Sequence, residues 1–174
     1  MRDLKKDEIE CKISSINEEK GLQLLLYKTA RTDMQLLDET FGQLNWQCKY
    51  EEVKGNMYCT ISVYDKEKKE WVSKQDCGVE SAFGDKEKGE ASDAFKRAGF
   101  KWGIGIELYN SPFIYIPVSK CTIIKNSKGK NVTYDKFYVE ALKIVDKEIL
   151  GLSIINQKGE RVYTFKSAKL DKKE

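Results

Sequence analysis

VESAFGDKEKGEASDAFKRAGFKWGIG, residues 79 to 105, reads as a loop, a helix and a glycine stop. Asp85 follows Gly84 with the side chain of an N-cap. Ala91, Ala94, Phe95, Ala98 and Trp102 then recur at the spacing of one apolar stripe. Gly103 and Gly105 end the pattern. At roughly 100° per residue, Lys96, Arg97 and Lys101 fall on the flanks of that stripe, and Lys88 lies upstream beside Ser92. The helix therefore has a core side and a cationic side. Its small residues Ala91, Ala94, Ala98 and Gly99 let the backbone lie close against a sheet. Phe100 points away from the stripe and asks for a second apolar surface, in the same chain or in a neighbouring subunit. A basic flank is also what an ordinary solvated amphipathic helix carries, so the pattern alone leaves binding and solvation both open.

Working outward, the period changes from helical to alternating on the N-terminal side. Trp46 to Glu52, Met57 to Tyr64 and Trp71 to Val79 are separated by VKGN and DKEKK, which predicts an antiparallel three-stranded meander. In its middle strand Met57, Cys59, Ile61 and Val63 share one face, while Tyr58, Thr60, Ser62 and Tyr64 share the other. Further upstream, Thr32-Asp33-Met34-Gln35 has the form of a capping box for a helix over 32–41, with Met34, Leu37 and Phe41 on one face and Gly42 at its end. A strand-like segment runs from Glu10 to Ile16, and Leu22 to Tyr27 reads as strand or buried helix.

Past Gly105, Pro112 and Pro117 mark an edge or an exit, and we expect a boundary near Val118. Alternation resumes at Cys121 to Ile124, Val132 to Ile144, Ile149 to Ile155 and Arg161 to Phe165, followed by a Lys-rich tail from Lys166. The expected fold class is α+β: a β-β-β-α core, the meander packed by the following helix, with a C-terminal β appendage. The expected domains are residues 9–118 and 119–174.

Of the 174 residues 34% are charged, and no apolar run is long enough to span a bilayer, so membrane readings are set aside. The start MRDLKKDEIE has no signal-like apolar stretch, which points to the cytoplasm. Net charge is only +3, so nucleic-acid affinity would have to come from local clustering of Lys and Arg. The five cysteines are scattered and never form a Cys-x-x-Cys pair, as expected of reduced core thiols. The absence of histidine removes the commonest general base and most zinc chemistry.

LDETFGQLNW, the meander, GVES and KGEASDAFKRAGFKWGIG together resemble the DNA-binding core of the single-strand annealing family named after the eukaryotic protein Rad fifty-two, most closely its bacteriophage members. The resemblance covers roughly residues 31 to 109. It implies a protein that binds single-stranded DNA in a basic groove and anneals complementary strands without ATP, in recombination and double-strand break repair. It also implies a homo-oligomeric ring in the cytoplasm of a bacterial host, no catalytic residue and no cofactor. A phage exonuclease or a single-strand-binding protein would be its partner. Residue by residue, it puts Lys96 and Arg97 in the groove with Lys88 as a further helix contact, and Arg31 within one position of another family arginine. One helix position that is basic in well-known members is Phe100 here, and Lys101 stands beside it as a substitute.

Lys74 alternates with Trp71 and Ser73 on the third strand and either extends the groove or is simply solvated. Tyr58 and Tyr64 offer stacking faces or cross-strand packing. Trp46, Trp71 and Trp102 read as core or interface anchors. Two rivals remain. The order helix, three strands, helix is also that of a double-stranded RNA-binding module. Asp76, Glu80, Glu90 and Asp93 are carboxylates of the kind that hold Mg²⁺ in a nuclease, although Glu90 and Asp93 are more simply read as ion-pair partners for nearby lysines and Arg97.

Overall fold

The computed structural model describes residues 1–79 and 86–170. In chain order its strands and helices begin with β1 (Glu10–Asn17), β2 (Gly21–Tyr27) and α1 (Ala30–Phe41). The meander β3 (Trp46–Val53), β4 (Asn56–Asp65) and β5 (Glu70–Cys77) follows, then α2 (Lys86–Lys101) and β6 (Ile114–Pro117). Two short strands, β7 (Ile124–Lys125) and β8 (Asn131–Val132), precede β9 (Phe137–Val145), β10 (Glu148–Asn156) and β11 (Arg161–Lys166). The class is α+β, as expected. The chain divides into two compact units: Met1–Arg2 with Thr29–Ile106, and Asp3–Lys28 with the chain from Glu107 on.

In the first unit, the three-stranded antiparallel sheet has the order β3-β4-β5, with Cys59 opposite Tyr50 and Asp76, and Ile61 opposite Cys48 and Lys74. Cys59, Ile61 and Val63 are buried on one face, as the alternation predicts. Helix α2 packs on β4 and β5 through Ala94, Phe95 and Ala98, all fully buried. Burying a phenylalanine side chain such as Phe95 contributes about 2–3 kcal/mol. Trp102, just past α2, donates its indole N–H to the Ile61 carbonyl at 3.2 Å and takes the Phe41 ring edge-on. Trp46 lies against Phe95. Two tryptophans are thus core anchors, whereas Trp71 is 46% exposed and meets its cross-strand partner Tyr64 edge-on.

Two details of the expected first helix are corrected. Its N-cap is Thr29, whose Oγ1 accepts from the Thr32 N–H at 3.4 Å, so Thr32 lies inside the first turn instead of capping it. The buried face carries Asp33, Leu36 and Leu37, while Met34 is 42% exposed. Starting the helix earlier leaves the apolar pair Leu36-Leu37 to set which face packs.

In the second unit, a six-stranded sheet runs in the order β11-β10-β9-β1-β2-β6. Its edge strands β11 and β6 approach one another, and the Tyr163 hydroxyl donates to the Phe113 carbonyl at 2.9 Å, so the sheet nearly closes into a barrel. Strands β1 and β9 share only the pair Glu10 and Tyr138. Leu22, Leu24, Ile114, Ile116, Ile149 and Ile154 fill the inner face. Glu107 is fully buried and accepts the Leu4 N–H at 2.8 Å, with Lys147 4.0 Å away.

This overturns the expected boundary near Val118 and the small appendage. The C-terminal strands recruit β1, β2 and β6 to make the larger sheet of the molecule. The reason is physical: β2 is a run of leucines that must be covered on its inner face, and β6 and β9 to β11 supply that cover. The reading of 22–27 that stayed open between strand and helix resolves as strand. Among the described residues, no helix is long and apolar enough to cross a membrane.

Candidate nucleic-acid interface

Helix α2 is held against the sheet by its own acids. Glu90 accepts the Met57 N–H at 2.7 Å, and Asp93 accepts the Val79 N–H at 3.1 Å. These bonds satisfy backbone donors at the ends of β4 and β5. The fit is close: a Cβ on Gly78 would stand 2.2 Å from the Glu90 carbonyl oxygen, and one on Gly99 would stand 2.5 Å from the buried Asp33 carboxylate. Gly84 and Asp85, the expected loop and cap of this helix, lie outside the described residues, as does Glu80.

Four of the six expected cations gather along α2 and the neighbouring β5. Arg97 and Lys101, one turn apart, share the Asp76 carboxylate at 3.6 and 3.5 Å. Asp76 also accepts the Cys77 N–H at 2.9 Å. Lys101 donates to the Gln75 carbonyl at 2.5 Å, and Lys74 donates to the Lys101 carbonyl at 2.7 Å. The Lys74 ammonium therefore caps the C-terminal end of α2, where the helix dipole is negative, and sits 4.5 Å from the centre of the Trp102 ring. Lys96 lies on the adjoining flank, 3.8 Å from Asp93. Two cations thus share the Asp76 carboxylate, and a third, Lys74, is bonded to the backbone of one of them.

The pairs Lys96–Asp93, Arg97–Asp76 and Lys101–Asp76 are all longer than a well-formed hydrogen bond. The buried Nε of Arg97 has no hydrogen-bond partner among the described residues. Such pairs hold little energy, about 0–1 kcal/mol each, and an incoming anion displaces them easily. Lys88 is exposed near the start of α2. Arg31 is exposed in the first turn of α1, and no hydrogen bond or ion pair joins it to the cluster among the described residues. The structure thus brings together Lys74, Arg97 and Lys101 with Lys96 beside them, and places Arg31 on a different helix, α1.

The acids of the nuclease reading do not converge. Asp76, Glu90 and Asp93 are each taken up by backbone N–H groups or cations, and among the described residues no group of three His, Cys, Asp or Glu side chains could hold a metal ion. Tyr64 is engaged by Trp71, as in the packing reading. The sequence reading missed Asp76 as the bridge between two cations. The signal was there: Asp76 ends a strand on which Lys74 is two residues away, and the helix follows directly. Nothing matched the chain when it was compared with protein-family models, with curated proteins and with solved structures.

Proposed function

We propose that this chain binds single-stranded DNA along α2 and anneals complementary strands without ATP, as a phage-type single-strand annealing protein of recombination and double-strand break repair. The observation that carries the reading is the convergence of Arg97 and Lys101 on one carboxylate, with Lys74 bonded to the Lys101 carbonyl and Lys96 on the next flank of the same rigid helix. A three-stranded antiparallel meander followed by a helix supports this reading. A guanidinium and ammonium groups spaced along one helix hold successive phosphates and leave the base edges free for a second strand. Pairing then proceeds downhill, with stacking of about 1.4 kcal/mol per step, and needs no nucleotide cofactor. With a net charge of only +3, single subunits bind weakly, and a homo-oligomeric ring multiplies that affinity through effective concentration. A phage exonuclease would supply the resected strand, and a single-strand-binding protein would coat it.

The test compares wild type with Lys96→Ala/Arg97→Ala in ATP-free annealing of complementary oligonucleotides, with single-strand affinity followed against salt. The expected result is loss of annealing in a folded variant, with the salt slope shallower by up to about 0.7 per lost phosphate contact. Wild-type protein that neither binds nor anneals single strands would refute the reading. Duplex RNA belongs in the same assay, because α1, the meander and α2 occur in the order of a double-stranded RNA-binding module.

A further inference from the structure

We infer that the outer face of the six-stranded sheet carries a further contact for single-stranded DNA, a stacking platform made by Phe113 and Tyr115. This inference rests on the function proposed above. Phe113 lies immediately before β6 and Tyr115 within it, two positions apart, so both project from one face while Ile114 and Ile116 are buried on the other. Their rings are within 7° of parallel with centroids 6.5 Å apart, and they are 68% and 38% exposed.

Both positions are fastened. The Tyr115 hydroxyl donates to the Lys20 carbonyl, and the Phe113 carbonyl accepts from Tyr163. A Tyr115 ring tethered through its hydroxyl loses little freedom when a flat ligand lands on it, and the bond to Tyr163 fixes the backbone that presents Phe113. The centroid spacing is about two rises of a stacked strand, each roughly 3.4 Å.

The surroundings suit a polyanion that carries bases. Strands β2 and β6 contain no charged residue, and Gln23 pairs with Tyr115 across them. Leu25, 48% exposed, pairs with Lys12 on β1. Lys12 and Lys20 are exposed, and neither has a carboxylate within ion-pair distance among the described residues. Glu10, the acid on the same strand as Lys12, is engaged by the Tyr27 hydroxyl. Two near-parallel aromatic faces flanked by exposed lysines are the parts of a sequence-tolerant single-strand contact: π-faces for bases, ammonium groups for phosphates.

Two substitutions at the exposed position 113 separate stacking from plain apolar contact. Phe113→Leu keeps apolar area but has no π-face; Phe113→Trp keeps the π-face and adds a fluorophore. We expect Phe113→Leu to weaken binding of an oligo-dT strand roughly five-fold or more, with the salt slope unchanged because stacking releases no counterion. Phe113→Trp should bind as wild type does, with emission quenched beyond the wild-type response when DNA is added. Circular dichroism and size-exclusion chromatography on each variant check folding and assembly. Wild type that binds while Phe113→Leu binds equally well overturns this inference and leaves the α2 site standing. Loss of assembly in Phe113→Leu with unchanged affinity per subunit overturns it in favour of a contact between copies. Wild type that binds no single strand removes both readings.

Discussion

The carboxylate of Asp76 lies 3.6 Å from the Nε of Arg97, too far for a hydrogen bond and near enough to neutralise the guanidinium. A second oxygen of the same carboxylate faces Lys101. On the function proposed above, a phosphate would compete with this acid for the same two cations, and binding of a strand at α2 would exchange one anion for another.

Asp76→Asn tests that exchange. The amide oxygen retains the bond to the Cys77 N–H, and only the negative charge is lost. Single-strand affinity should rise up to about five-fold, the equivalent of an exposed ion pair of about 1 kcal/mol. Unchanged or weaker binding, read by fluorescence anisotropy at fixed salt, would show that Asp76 does not compete with DNA.

Close approach of α2 makes its glycine neighbours sensitive. Gly78→Ala would drive a methyl group into the Glu90 backbone carbonyl, and Gly99→Ala would drive one against the buried Asp33 carboxylate. We expect each to destabilise the first unit by about 1–3 kcal/mol, Gly78→Ala the more because it meets backbone that cannot rotate away. Urea denaturation followed by tryptophan fluorescence reads this unit, since Trp46, Trp71 and Trp102 all lie in it. A midpoint for either variant equal to that of wild type would contradict the packing described.

In the second unit, Arg161 grips Glu140 with two hydrogen bonds of 2.6 and 2.8 Å and holds its carboxyl down at about 2, from an ordinary value of 4.5. A depressed folded-state pKa stabilises above the unfolded value and is lost as pH falls through the folded one. The stability gap between wild type and Arg161→Gln should therefore be full above pH 4.5 and close as pH falls through about 2. Carboxyl-carbon NMR should show Glu140 titrating near 2 in wild type and in the ordinary carboxylate range in the variant. A gap that is constant across this window would exclude the pair as its source.

Cys48 is exposed on the edge strand β3, and a hydrogen bond with the buried Cys59 lowers its thiol to about 7. At neutral pH it should be the cysteine that iodoacetamide modifies fastest, with a rate midpoint near 7. Cys59→Ala removes the hydrogen bond and should move that midpoint upward. Peptide mapping after brief alkylation decides the matter, and preferential labelling of Cys11, held up to about 12 by burial, would contradict the assignment.

The local periods of the chain carried much of this structure. Alternation placed β3 to β5 within a residue or two, and the stripe Ala94, Phe95, Ala98 specified which side of α2 is buried and so which side carries Arg97 and Lys101. Those features are local: side-chain direction follows from the geometry of a single strand or helix. Which strands pair is not local. Nothing in residues 10–27 says that they join 137–166 instead of the meander, because a leucine run accepts any apolar sheet that covers it. Likewise Asp76 and Arg97 are 21 residues apart, and only the fold of β5 against α2 makes one carboxylate the partner of two cations.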